Sequence, residues 1–438
     1  MSSIVLVLLG FTILFIGYRF YSKFLGRRIF DINEKNHLMP SKEFEDGIDF
    51  VPTKKHILFG HHFTSVAGAA PIIGPCVAAY WGWLPALVWI LFGTILMGAV
   101  HDFGALVMSV KEKGKSIADI ASTTISKRAR LMFLIFIILL VWLVLAVFAM
   151  AVADLFVGIP SSVIPINIEI IIAIIMGYLI YKKKMDILIP SLIALTLLYF
   201  FVWVGTKAPV DFTEVMPAQD AKNLWIILLF IYSAIASLLP VWTLLQPRDY
   251  INSHQLIVGL GLLFLGIFVA QPIVDAPALR SFSEPGVPSL FPLLFVTVAC
   301  GAISGFHGLV ASGTSSKQLE HLSDARMVGY GGMIGEGTLA LATTVAAVAG
   351  ISLVAQSDIP NYSVAVSGLN NWEVYYEDTQ LKISFCQIQC DLDNQFNQEF
   401  VVFKIDNLTS NTLLVQWDSK IWFDESCINC EQDSPEFR

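Results

Sequence analysis

LMFLIFIILLVWLVLAVFAMAVADLF, residues Leu131 to Phe156, holds a single ionisable side chain, Asp154. A helix needs about 20 predominantly apolar residues to cross about 30 Å of hydrocarbon, and this stretch meets that demand alone. Runs of the same kind recur at 4–25, 63–82, 84–108, 166–182, 187–206, 222–244, 255–273, 289–310 and 328–355, so with 131–156 the sequence predicts about ten transmembrane helices. Composition agrees. Of 438 residues 55% are hydrophobic and 14% charged, with mean hydropathy +0.69, whereas soluble domains run at about 45–50% apolar and about 25% charged. Such a chain is neither disordered nor built to bind nucleic acid. The formal charge of -8 says little about partners, because the acids gather in loops and in the tail. The first run, Ile4 to about Leu25, is expected to be a retained first span and not a signal peptide, since no basic region precedes it, it exceeds an apolar core of about 7–15 residues, and no small-x-small cleavage site follows.

Orientation follows from the basic residues, which are retained on the cytoplasmic side. Arg27, Arg28, Lys42, Lys54 and Lys55 follow the first span; Lys111 to Lys115 and Lys127 to Arg130 join the third to the fourth; Lys182 to Lys184 follow the fifth. With ten alternating spans these share one face, and the opposite loops hold little beyond Lys207, Lys222 and Arg280. The N-terminus and the tail are therefore predicted outside.

Two spans are interrupted. The second reads GHHFTSVAGAAPIIGP (Gly60 to Pro75) and the ninth CGAISGFHGLVASGTSSKQ (Cys300 to Gln318). Gly and Pro break the helical ladder, and freed backbone groups survive in a bilayer only where protein buries them or they line a cavity. Paired broken helices point to a transporter's midplane site. A small-residue packing seam explains the glycines equally well, but not the histidines.

After Gly350 the pattern changes. WEVYYEDTQLKISFCQIQC, EFVVFKIDNL and TLLVQW alternate as strands do. The expected organisation is a membrane domain over 1–355 and a small soluble β-rich domain over 356–438. Cys386, Cys390, Cys427 and Cys430 suit two disulfides, a zinc ion, or free thiols, and an outside location favours disulfides.

GHHFTSVAGAAPIIGP, GAVHDF (Gly98 to Phe103), LPVWTLLQPRDYINS (Leu239 to Ser253), ACGAISGFHGLVASGTSSKQL (Ala299 to Leu319) and DARMVGYGGMIGEG (Asp324 to Gly337) together resemble the carbon starvation protein A family of bacterial inner-membrane transporters. The resemblance covers about 350 residues. It implies multi-pass placement in the inner membrane, secondary transport of small peptides or pyruvate with protons or cations, and distant kinship to inverted-repeat amino acid-polyamine-organocation carriers. It also implies several more helices past GEG, in place of which this chain carries the β-rich tail after Gly350.

An ionisable side chain at the bilayer centre costs about 2.5–3.5 kcal/mol on insertion scales, so each needs a partner or a task. His61 and His62 open the broken second span, suited to an anionic solute or a proton, or else to water at the interface. His101 and Asp102 are read at the end of the third span, as a relay or as groups snorkelling to water. His307 lies deep in the ninth span beside Ser304, Gly305 and Gly308, with Ser312, Thr314 and Ser315 following. Lys317 at the inner boundary suits a carboxylate or snorkels. Glu336 in GGMIGEG is a membrane carboxylate with glycines around it. Gln246, Arg248 and Asp249 in QPRDY are read as an inner loop whose Arg–Asp pair fixes geometry or a gate.

No GxSxG, Walker loop or HExxH occurs, and adjacent His61 and His62 do not form an i,i+4 metal pair. The expectation is an all-α polytopic bundle with a small all-β C-terminal domain, no enzyme, no cofactor and no metal. Its substrate site is expected to be lined by His62, Ser65, Gly68, His307, Ser312 and Thr314, with Glu336, His61 and Asp102 as proton-coupling groups. The rival reading is a truncated, transport-incompetent anchor displaying the outer β-domain for binding or sensing.

Overall fold

The computed structural model describes residues 2–32, 38–68, 70–274, 276–280, 289–302 and 306–356, and five strands beyond them. The chain divides into two units, Met1–Ser357 and Asp358–Arg438.

The first unit is helical. Among the described residues its long apolar helices are α1 (Ser3–Ile29), then the pair α2 (Lys55–Val66) and α3 (Ala70–Trp81), then α4 (Trp83–Lys111), α5 (Lys127–Gly158), α6 (Pro160–Lys182), α7 (Leu188–Glu214), α8 (Ala218–Ser237), α9 (Leu245–Ala270) and α12 (Leu322–Ala349). Between the last two lie the shorter α10 (Leu290–Ala302) and α11 (Phe306–Gly313). Eight of these are long and apolar enough to cross a membrane, or nine if α2 and α3 form one bent span. In the run 289–310 the described residues form α10 and α11, and 303–305 between them lie outside the described residues, as does the continuity expected of a tenth span.

The joint between α2 and α3 has a local cause. Ala67 leaves helical geometry at φ -83°, ψ 55°, and Pro71 has no N–H to continue the ladder. The two halves meet at 47°.

α12 is the centre of the bundle: 72% of its most apolar window is buried, against none of the corresponding window of α5. Small residues account for this. Ala340, Ala342, Val345 and Val348 have no exposed surface, which lets α1, α2, α3 and the first half of α4 approach closely. One core cluster joins Phe103 and Leu106 of α4 to Tyr330 and Met333 of α12. A second joins Leu6 and Leu14 of α1 to Phe264 of α9 and Leu341 of α12. Burying one such side chain is worth about 1.5–3 kcal/mol in water; between spans the gain comes from packing instead.

Two expectations are corrected by this geometry. His101 and Asp102 do not end the third span, because α4 continues to Lys111. The QPRDY segment is not an inner loop: α9 begins at Leu245, and Gln246 and Asp249 are buried. Pro247 suits a first helical turn, where its missing N–H has no helical partner to lose.

In the second unit β1 (Glu373–Glu377), β2 (Leu381–Gln389) and β3 (Glu399–Asn407) pair antiparallel in that order, and β4 (Trp422–Phe423) pairs with β5 (Ser426–Cys427). Cys386 and Cys427 fall on β2 and β5, while Cys390 and Cys430 lie outside the described residues. These five strands alone do not support the small all-β domain expected of this segment.

Candidate functional site

Adjacent residues on a helix point about 100° apart, so His61 and His62 of α2 necessarily face different neighbours. The alternative of an interfacial pair facing water is not found: His61 is 1% exposed and His62 not at all.

His62 reaches α4. Its Nε2 lies 2.7 Å from Asp102 Oδ2, and its Nδ1 2.8 Å from Ser315 Oγ. A neutral imidazole has one donor and one acceptor. The set is satisfied when Nε2–H donates to the carboxylate and the Ser315 hydroxyl donates to Nδ1. This is a carboxylate–imidazole–hydroxyl chain with no exposed side chain in it. Asp102 Oδ1 is buried and has no hydrogen-bond partner among the described residues. Room for the ring comes from Gly332, where a Cβ would sit 2.8 Å from His62 Cδ2. Gly308 makes room for the His101 ring in the same way.

His61 reaches α9. Its Nδ1–H donates to Asp249 Oδ2 at 2.8 Å, and the Ser65 hydroxyl donates to the same oxygen at 3.0 Å. Asp249 Oδ1 accepts from Arg248 Nη2 at 3.1 Å and Nε at 3.3 Å, while Arg248 Nη1 donates to the Tyr232 hydroxyl at 3.1 Å. Thr64 adds a hydroxyl bond to the Asp249 carbonyl at 2.8 Å. Three α2 side chains thus converge on one residue of α9.

His307 of α11 completes the set. Its Nδ1 lies 2.9 Å from Met333 Sδ and 3.4 Å from Glu336 Oε2, both on α12, and Glu336 is fully buried. Asp102, His62 and His101 all lie within its electrostatic reach.

Of the expected residues, the structure brings together His62, Asp102, His307 and Glu336, and sets His61 and Ser65 beside them on Asp249. Ser312 spends its hydroxyl on the Gly308 carbonyl of its own helix, at 2.7 Å. Gly68 faces Phe148. Thr314 is half-buried at the end of α11. Lys317 pairs with Asp49 at 3.5 Å and lies over the Phe50 ring. Ser304 and Gly305 lie outside the described residues.

The loop over 38–54 seals the basic end of these helices. Ser41 donates to the Leu319 carbonyl, and Trp242 to the Gly47 carbonyl. Within it Asp46 Oδ1 accepts from the N–H groups of Ile48, Asp49 and Phe50 at 2.8–2.9 Å. Slight desolvation opposes ionisation, but those three N–H groups outweigh it and hold the Asp46 carboxyl below its usual value.

Gln246, read from the sequence as part of an inner loop, bonds Tyr181, Thr53 and Gln318 in one buried knot. One group escaped the sequence reading: Glu169 stands alone in VIPINIEIIIAIIMG of α6, and a lone carboxylate in such a run is a signal in itself.

The chain matches the family model described as carbon starvation protein CstA over residues 2–377, past the change of character at 356. It is 39% identical over 353 residues to the peptide transporter CstA of Helicobacter pylori strain J99, covering 79% of this chain and 51% of the relative. It is 36% identical over 359 residues to the peptide transporter CstA of Escherichia coli K12 (79% and 50%), and 34% identical over 355 residues to the pyruvate/proton symporter BtsT of that strain (79% and 49%). The chain spans about half the length of the curated relatives it matches. No solved structure matches it.

Proposed function

We propose that this chain, which belongs to the carbon starvation protein CstA family, carries the solute site of a proton-coupled transporter for small peptides or pyruvate. The observation that carries the reading is the Asp102–His62–Ser315 chain beside the His307–Glu336 pair, 2.7, 2.8 and 3.4 Å contacts made next to the break of α2 at Ala67 and the end of α11 at Gly313. Broken helices at membrane depth leave backbone groups free to hold a small anionic or zwitterionic solute. Glu336 is the proton-coupling group in this reading. A proton there and a solute nearby favour the same state, so each strengthens the other.

The chain sits in the bacterial inner membrane with its basic segments inside and its N-terminus outside. The segment after residue 356 faces the outer side.

The test is uptake of labelled dipeptide and of labelled pyruvate into proteoliposomes under an imposed pH gradient. The parent is expected to accumulate at least one solute only with the gradient, and His307→Ala and Glu336→Gln to lose that dependence. Gradient-driven uptake that both variants retain unchanged would discard the site.

A further inference from the structure

A cavity of about 340 Å³ opens between α6, α7 and α9, apart from the histidine cluster. Its mouth is marked by Ser161, Ser162 and Thr206, at the ends of α6 and α7 opposite Lys182. Leu198 contributes to an apolar wall and Gln255 a side amide. Glu169 is 9% exposed and lines it, and Glu169 Oε1 has no hydrogen-bond partner among the described residues. Pockets of roughly 300–1,000 Å³ with apolar walls and a few placed polar groups are the common form of a small-molecule site.

The charge count around Glu169 decides what the site takes. Glu169 lies against the Asn252 side chain and in the field of Arg248. Arg248 spends Nε and Nη2 on Asp249 and Nη1 on Tyr232. His61 gives Asp249 its Nδ1–H, and its Nε2 is buried without a partner. Two carboxylates, those of Asp249 and Glu169, thus face one guanidinium, whose hydrogen-bonding nitrogens are spent on Asp249 and Tyr232. A carboxylate left over at membrane depth is kept only with a partner.

We propose that this cavity is a second solute site, distinct from the His62–His307 cluster, which takes a primary ammonium group on a short organic body. The ammonium meets Glu169 Oε1, the hydroxyls of Ser161, Ser162 and Thr206 face the solute's polar end, and a proton on Glu169 balances the charge when the site is empty. Glu169 lies about 14 Å along α6 from Pro160, too deep for a lipid headgroup at the helix end.

The experiment uses the purified full chain and a hydrophobic carbodiimide, which adds to buried protonated carboxyls, with the adduct mapped by mass spectrometry. Glu169 is expected to be modified, and alanyl-alanine to suppress the modification, while N-acetyl-alanyl-alanine and pyruvate do not. Glu169→Gln should weaken binding of labelled alanyl-alanine about tenfold or more, the worth of one buried charge-assisted hydrogen bond. Should that variant fail to fold, protection in the parent still decides. His307→Ala and Glu336→Gln should leave the protection unchanged, which separates this site from the transport reading. Modification indifferent to alanyl-alanine, or suppressed equally by its acetylated form, overturns the proposal and leaves Glu169 a carrier of protons alone.

Discussion

His62 Nε2 and Asp102 Oδ2 lie 2.7 Å apart, and neither side chain has any exposed surface. The two residues come from helices that meet only in the folded bundle, so the pair reports on tertiary structure as much as on chemistry. Breaking a buried pair by removing one partner costs about 3–5 kcal/mol, because the other is left uncompensated. Asp102→Ala should therefore lower resistance to SDS-induced unfolding by about that amount. The double variant with His62→Ala should cost less than the sum of the single ones. Additive losses would show that the contact contributes nothing.

Gly332 gives a second, steric measure of the same ring. An added Cβ lies 2.8 Å from His62 Cδ2, and the ring is held at both nitrogens. Gly332→Ala should destabilise by about 1–3 kcal/mol, as overpacking does, and Gly332→Val by more. Combining Gly332→Ala with His62→Ala should recover most of the loss in the same unfolding measurement.

Asp46 predicts an acid-sensitive loop. Its folded-state value is lowered by three N–H donors, so its contribution is present above the ordinary aspartate value of about 3.9. That contribution is lost as pH falls through the lowered folded value. Proteolysis after Lys42 by an acid-tolerant protease should rise over that window in the parent. In Asp46→Ala it should already be high at neutral pH, with little further change on acidification.

Side-specific labelling tests the orientation. In a background without native cysteines, Lys127→Cys should react only from the cytoplasmic side and Lys207→Cys only from the outside, since both positions are exposed at opposite ends of the bundle. Reaction of both from one side would mean that a helix counted as a span does not cross.

Much of this architecture was legible in the sequence, for physical reasons that differ between elements. Leu131 to Phe156 could be read because nothing but a lipid-facing helix tolerates so few polar groups. The joint near Gly68 and Pro71 was visible because proline removes a donor whatever surrounds it. By contrast, the polarity of Gln246, Arg248 and Asp249 reads as a loop, whereas His61, Tyr181 and Tyr232 satisfy those groups inside the bundle. The choice of partner was not readable at all. Nothing in the order His61–His62 tells which ring meets Asp249 and which meets Asp102, since that depends on how α4 and α9 flank α2.

The exposed helix α5 carries a consequence for the bilayer itself. At about 1.5 Å per residue its apolar stretch is about 39 Å long, against about 30 Å of hydrocarbon. The excess is absorbed by leaning the helix or thickening the surrounding lipid, each at a fraction of a kcal/mol per Å. α5 packs chiefly on α8 and the short helix Ile117–Thr124, so it leans without disturbing α12. Acyl-chain length is thus a variable that acts on one rim of this protein while leaving its centre alone.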